Sequence, residues 1–89
     1  MAENPGCLVF SGAGGNKDEA LYRRGLRAYN NSDDRKAREL FAQVINNHPR
    51  SPYIGAAAFW RGESHYRQGE EAEALAQYEH VITKAKREP

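Results

Sequence analysis

Apolar residues recur every three or four positions along most of the chain, and polar breaks separate four such stretches. The first predicts a helix over about residues 18–31, and the third predicts a helix over about 52–67. The fourth stretch follows a Gln68-Gly69 turn. No alternation of period two occurs beyond the first ten residues, so the pattern predicts an all-α fold.

The polar breaks contain residues that are typical of helix starts. Asn16 and Glu19 have the spacing of a capping box, which places the first helix directly after a glycine-rich segment. Ser32 is predicted to be the N-cap of the second helix, and Ser51 and Pro52 are predicted to be the N-cap and first residue of the third.

The second half of the chain repeats the first at an offset of 37 residues, the distance from Gly25 to Gly62. The same offset aligns Tyr22 with Phe59, Arg24 with Arg61, Tyr29 with Tyr66, Ala37 with Ala74, Phe41 with Tyr78, Val44 with Val81 and Ile45 with Ile82. Glycine and alanine at these positions let two helix backbones approach closely, and the larger residues fill the space beside them. The sequence therefore predicts two tandem antiparallel helical hairpins.

The segments "LYRRGLRAYNNSDDRKARELFAQVINNHP" and "AFWRGESHYRQGEEAEALAQYEHVI" resemble tetratricopeptide repeats. The resemblance covers about residues 19–86. The linker between the copies is most similar to that of bacterial cell-envelope members, such as Tol-Pal-associated periplasmic coordinators and barrel-assembly lipoproteins.

This resemblance implies a short right-handed α-solenoid. Repeat one is expected over 18–49 and repeat two over 52–86, within a repeat domain over 18–89. A flexible N-terminal extension is expected over 1–17. Its "CLVF" segment, residues 7–10, is interpreted as an apolar tag that docks on an exposed repeat face, with disorder as the alternative.

Three positions depart from the family pattern. Arg24 and Arg61 stand where a leucine is usual, and an unpaired buried charge is costly, so each guanidinium is expected to reach solvent or a carboxylate. Glu71 replaces the usual aromatic residue in the first turn of the fourth helix. Because two repeats leave apolar residues of that helix uncovered, the chain is expected to form a homodimer or part of a longer array.

The composition limits the partners and the location of the chain. Its 89 residues carry 13 Lys and Arg against 12 Asp and Glu, a formal net charge of +1, which gives no polybasic signature. No export signal or membrane-spanning run is present in the sequence as written, which predicts no membrane insertion. The predicted location is cytoplasmic, or periplasmic if the chain is a fragment of an exported envelope protein.

No constellation for catalysis or cofactor binding is found. In "CLVFSGAGGNKDEA" no Ser or Thr follows Lys17, and no parallel sheet is predicted to mount a phosphate loop. His48, His65 and His80 lack the spacing of metal ligands, and Cys7 has no recognisable base. The chain is therefore predicted to be non-enzymatic, with no metal site and no cofactor.

The family resemblance implies that the first helix of each repeat lines a concave groove. The residues that correspond to groove positions are Tyr22, Arg23, Leu26, Tyr29, Asn30, Phe59, Trp60, Glu63, Tyr66 and Arg67. Aromatic residues and arginine are typical of binding hot spots. Core roles for Tyr22 and Phe59, and ordinary surface roles for the arginines, remain open.

Basic residues concentrate on the first and third helices and acidic residues on the fourth, which favours an acidic peptide or a free C-terminal carboxylate as the partner. The alternative is single-stranded nucleic acid, bound through the same arginine and aromatic surface. The net charge of +1 and the acidic fourth helix disfavour it.

Overall fold

The fold is taken from a computed structural model that describes residues 17–87. It consists of four helices: α1 (Lys17–Asn30), α2 (Asp34–Asn47), α3 (Ile54–Arg67) and α4 (Glu71–Arg87). The described residues contain no strand, and the predicted all-α fold of helical hairpins is confirmed. The predicted cap at Asn16 and the CLVF segment lie outside the described residues.

Each helix packs mainly on its neighbours in sequence. α1 packs on α2, α2 on α3, and α3 on α4, whereas α1 and α3 meet at only a few points. The core lies in the first hairpin and at its junction with α3, where Ala37, Phe41, Val44 and Ala57 are fully buried. The second hairpin is therefore joined to the first through the α2 and α3 pair.

The glycines at equivalent repeat positions allow close helix packing within each hairpin. A Cβ atom added at Gly25 would lie 2.6 Å from Cε1 of Phe41, and one added at Gly62 would lie 2.7 Å from Cε1 of Tyr78. Real Cβ atoms do not approach other atoms this closely. The prediction that these glycines let two helix backbones approach is therefore confirmed.

The two hairpin turns share one backbone geometry. Ser32 and Gly69 have φ values of 63° and 80°, in the left-handed region. In the first turn the N–H of Asp33 donates to the C=O of Ala28 at 2.9 Å, which is the Schellman ending of a helix, and the second turn has the equivalent bond. Ser32 therefore lies in the turn that follows α1, and its predicted role as the N-cap of α2 is wrong. Asp33 is that cap, because its side chain accepts the backbone N–H of Lys36 at 3.3 Å.

The start of α3 also differs from the prediction. α3 begins at Ile54, two residues later than predicted, because Pro52 and Tyr53 form a turn ahead of it. Ser51 stabilises that turn by accepting the backbone N–H of Tyr53 on its Oγ at 3.0 Å.

Candidate functional site

The ten predicted groove residues all lie on α1 and α3, the first helix of each hairpin. They divide into two sets by exposure. The exposed set is Arg23, Asn30, Phe59, Tyr66 and Arg67, and the half-buried set is Tyr22, Leu26, Tyr29, Trp60 and Glu63. The half-buried set takes part in internal packing, so its contribution to any binding surface is limited.

Three aromatic residues of the predicted groove join Tyr78 of α4 in one connected cluster. The ring centroids of Tyr29 and Trp60 are 5.2 Å apart, those of Phe59 and Trp60 are 5.1 Å apart, and those of Phe59 and Tyr78 are 6.2 Å apart. Aromatic pairs at such distances stabilise a fold by about 0.5–1.5 kcal/mol beyond the burial of their surface. This cluster therefore links the two hairpins.

Tyr22 belongs to the edge of the first hairpin's core. Its ring stacks on Tyr53 with centroids 4.9 Å apart, and it also meets the ring of Phe41 at 5.9 Å. Leu26 packs against the same core. The sequence left a core role open for Tyr22 and Phe59. Tyr22 is half-buried against the core of the first hairpin, whereas Phe59 is exposed.

Arg67 is held by the first hairpin. Its guanidinium carbon lies 3.8 Å from the ring centroid of Tyr29, and its Nη2 donates to the C=O of Tyr29 at 2.8 Å. Its Nε donates to Asp34 at 3.0 Å, and Nε2 of Gln68 donates to the other oxygen of the same carboxylate. We call these four residues, Tyr29, Asp34, Arg67 and Gln68, the Asp34 clasp, because they join α3 to the first hairpin.

The electrostatics of the clasp follow from its geometry. Asp34 is only 7% exposed, and the hydrogen bond from Arg67, with a further one from Gln68, holds the pKa of its carboxyl below the usual range. The same hydrogen bond raises the pKa of Arg67. The charged form of both groups is thus favoured in the folded chain.

Asp34 was not predicted as a functional residue. From the sequence alone, Asp34 is recognised only as an acidic residue in the first turn of a helix, because its partner Arg67 stands 33 residues further along. The 37-residue offset, which aligns Asp34 with Glu71, marks a carboxylate at the same position of both repeats. That alignment is the one sequence feature that draws attention to Asp34, although it does not identify Arg67 as the partner.

Glu63 is also tied to internal structure. The hydroxyl of Tyr78 donates to Oε2 of Glu63 at 2.8 Å, which connects α3 and α4. Burial, together with the adjacent Glu63 carboxylate, raises the pKa of Tyr78 to about 12. This predicted groove residue therefore also stabilises the second hairpin.

Four predicted residues remain accessible, and we call them the accessible groove: Arg23, Asn30, Phe59 and Tyr66. Tyr66 is 60% exposed and Phe59 is 39% exposed. Arg23 forms an ion pair with Glu19 at 2.9 Å, one helical turn away on the surface of α1. Such a pair stabilises a helix by only about 0.2–0.5 kcal/mol, so Arg23 can change partners at low cost.

Arg24 and Arg61, two of the three departures from the family pattern, differ in burial. Arg24 is exposed, as expected. The Nε of Arg61 is buried with no hydrogen-bond partner among the described residues, and the same holds for Nη1 of Arg38. Burial, together with the positive charge of Arg38, lowers the pKa of Arg61. Arg61 as a whole is half-buried, so only its Nε is known to lack both solvent and a partner among the described residues.

Replacing Arg61 with leucine is expected to raise the free energy of unfolding by about 1 kcal/mol. The change removes a half-buried charge that Arg38 repels, and an apolar residue that needs no hydrogen bonds replaces it. Urea denaturation followed by circular dichroism measures the difference. Arg24→Leu, the same change at the exposed equivalent position, is the matched control and should alter stability by less than about 0.5 kcal/mol. A loss of stability in Arg61→Leu would contradict this account.

Other features of the described residues suggest no chemistry. No group of three or more His, Cys, Asp and Glu side chains in this part of the chain has the arrangement of a metal site.

A depression of about 470 Å³ lies where the start of α1 meets the α2–α3 loop, with Asp18, His48 and Ser51 in its wall. There the hydrogen bond from Ser51 lowers the pKa of Asp18. Within the same residues, every helix is too short or too polar to cross a membrane.

Two hairpins in tandem, each with a glycine packed against an aromatic ring and joined by the packing of α2 on α3, define a helical-repeat protein of the α-solenoid class. The sequence model of the tetratricopeptide repeat family matches residues 19–51 and 56–86, which together make up more than half of the chain. The chain belongs to the tetratricopeptide repeat family. No curated protein and no solved structure gives a significant match.

Membership of this family fixes the general role. Tetratricopeptide repeats generally mediate protein–protein interactions, and members of the family generally act as non-enzymatic scaffolds. The chain is accordingly a helical protein-interaction module of two repeats.

Proposed function

We propose that the chain is a non-enzymatic adaptor that binds a peptide or protein partner through the accessible groove. The observation that carries this proposal is the exposure of Tyr66 and Phe59 at a spacing of seven residues on α3, which places both rings on one side of the helix. Neighbouring exposed aromatic rings are typical of binding surfaces, because they offer a large rigid contact area.

An acidic peptide, or a free C-terminal carboxylate, is the partner that fits this surface best. Arg23 is 69% exposed, and its surface pair with Glu19 is weak, so an incoming carboxylate can replace Glu19. Arg67 is committed to Asp34, so Arg23 is the basic member of the groove that we assign to the partner. The bound carboxylate would then lie near Arg23, and apolar partner residues would pack on Tyr66 and Phe59.

Two substitutions test this assignment. In a panel of fluorescein-labelled peptides, those rich in Asp and Glu are expected to bind, and the same peptides with Lys in those positions are not. Tyr66→Ala and Arg23→Glu are each expected to weaken binding tenfold or more, the size of an interface hot spot. Fluorescence anisotropy measures the affinities.

Arg35→Glu is the matched control. Arg35 also forms a surface pair with a glutamate one turn away, at 3.2 Å, but it lies on α2, outside the proposed surface. Arg35→Glu makes the same charge change as Arg23→Glu, and it should leave the affinity for the acidic peptide within about twofold of the wild-type value. Equal weakening by Arg35→Glu and Arg23→Glu, or full binding by Tyr66→Ala, would remove the groove assignment.

The nucleic-acid alternative uses the same surface and stays a prediction. It requires that a single-stranded oligonucleotide binds with a steep salt dependence and that this dependence falls when Arg23 and Arg27 are replaced. Arg67 is not suitable for that experiment, because its removal would break the Asp34 clasp.

Self-association, membership of the bacterial cell-envelope subgroup and the location of the chain also stay predictions. Exposed Leu75 and Ile82 on α4 support a further binding partner on that helix. For the homodimer, we expect a mass of twice that of the chain by light scattering. If the chain belongs to the bacterial cell-envelope subgroup, we expect to recover it in the periplasmic fraction when cells are fractionated.

A further inference from the structure

The second hairpin exposes side chains whose equivalents in the first hairpin are covered. Tyr66 and Ile82 are 60% and 54% exposed, whereas Tyr29 and Ile45, which stand 37 residues earlier, are half-buried. The difference has a simple source. α3 packs on the first hairpin, and no described helix packs in the same way on the second.

The contacts of α3, together with those of Tyr53 directly before it, show what such a covering helix must carry. Tyr53 stacks on Tyr22, Trp60 packs on Tyr29, and Arg67 lies over the Tyr29 ring and pairs with the carboxylate of Asp34. Large side chains, seven residues apart, thus make the contacts with the first hairpin.

Small residues separate these large ones. Ala57 and Ser64 lie between them in sequence, and both are fully buried. The spacing between successive members alternates between four and three residues, which is that of one face of a helix. We call this set the α3 stripe: Tyr53, Ala57, Trp60, Ser64 and Arg67.

The second hairpin repeats the surface around these contacts. Tyr22, Tyr29 and Asp34 contact the α3 stripe, and the helical spacing of α2 places Arg38 and Ile45 on the same face as Asp34. At the offset of 37 residues these five become Phe59, Tyr66, Glu71, Leu75 and Ile82, and we call these last five the second-hairpin face. All five are exposed. The aromatic rings, the carboxylate and the aliphatic residue are thus present again, with Leu75 in place of Arg38.

We propose that the second-hairpin face binds a helix of a partner protein that carries the pattern of the α3 stripe. That helix has an aromatic residue, a second aromatic residue seven positions later and an arginine or lysine seven positions after that, with small residues between them. This proposal deepens the proposed function, on which it rests, by naming a surface that shares Phe59 and Tyr66 with the accessible groove and extends onto α4, and by naming the kind of helix that it takes.

Charge supports a basic helix as the occupant. Glu71 is exposed, and it stands at the repeat position where Asp34 pairs with Arg67 in the first hairpin. An arginine that follows the pattern would lie over Tyr66 and reach Glu71, as Arg67 lies over Tyr29 and reaches Asp34. Because Leu75 replaces Arg38, the position equivalent to Arg61 is expected to be apolar in the partner.

A peptide derived from α3 tests the proposal. The probe is residues 53–68 with a fluorescent label, Arg61→Leu to suit Leu75, and Gly62→Ala to raise its helix content. Titrated with the full 89-residue chain, it is expected to bind saturably in fluorescence anisotropy. Glu71→Arg in the chain should weaken binding at least tenfold, and Arg67→Glu in the peptide should restore most of the affinity for that variant.

Glu73→Arg is the control for this charge exchange. It makes the same change at an exposed site of α4 but falls at the repeat position of Lys36, outside the second-hairpin face, so binding should stay within twofold. Arg23→Glu separates the two proposals, because it should weaken the acidic peptide and leave this peptide unaffected.

Two outcomes would contradict the proposal that a partner helix binds the second-hairpin face. One is the absence of saturable peptide binding, and the other is equal binding of the peptide to the wild-type chain and to Glu71→Arg. A dimer that Glu71→Arg converts to a monomer would assign the face to a second copy. A large gain in peptide affinity on deletion of residues 1–16 would assign it to the chain's own N-terminal segment.

Discussion

Replacing Gly25 with valine is expected to lower the free energy of unfolding by about 3–4 kcal/mol, a large part of the stability of a domain of this size. An added Cβ would lie 2.6–2.9 Å from three ring carbons of Phe41. That ring is fully buried, so it can move away only if α1 and α2 separate. Urea denaturation monitored by circular dichroism measures the loss.

An alanine at the same site gives a graded version of this experiment. Its higher helix propensity contributes about 1 kcal/mol and offsets part of the clash, so Gly25→Ala should cost only about 1–2 kcal/mol. Ala20→Val, at an exposed position of α1, is the control for the valine and should change stability by less than about 1 kcal/mol. If Gly25→Val were as stable as Ala20→Val, the helices would not approach as closely as described.

Asp34→Ala is expected to lower the free energy of unfolding by about 2–3 kcal/mol. Removing one partner of a buried ion pair usually costs about 3–5 kcal/mol, because the other charge is left without compensation. The side chain of Arg67 is 36% exposed, and water can solvate part of its charge, which reduces the loss. Glu71→Ala, at the equivalent exposed position of α4, should change stability by less than about 0.5 kcal/mol.

The same variant has a signature in the pH dependence of stability. Since the folded chain lowers the pKa of Asp34 from 3.8, its carboxylate stabilises the fold above that pH, and the contribution is lost as the pH falls through the lower, folded-state pKa. Stability measured across this acid range should therefore fall less steeply in Asp34→Ala than in the wild-type chain. Parallel slopes would show that the Asp34 clasp contributes little.

Local signals in the sequence account for most of the helix boundaries. Gly69 was recognised at the second turn because glycine adopts positive φ readily, and it has a φ of 80° there. Ser32 has the same geometry at the first turn but was predicted to be a cap, because serine is a common N-cap residue. The repeat alignment of Ser32 with Gly69 contained the correct answer.

The candidate site was only partly predictable. The sequence and the family resemblance placed all ten groove residues on the first helices, yet five of them are half-buried in internal contacts. Helical periodicity shows which residues share a face but does not show what covers that face. Trp60 and Arg67 illustrate the difference, because both contact Tyr29 of the other hairpin.

The sequence by itself determined the helical class, the 37-residue repeat and the small residues that let neighbouring helices approach, because each depends on spacing along one chain. Only the tertiary structure decided the role of individual charges. Arg67 meets Asp34 and Tyr29, whereas Arg61 meets the like charge of Arg38. The physical reason is that ion pairing and desolvation depend on distances between helices remote in sequence, and packing alone sets those distances.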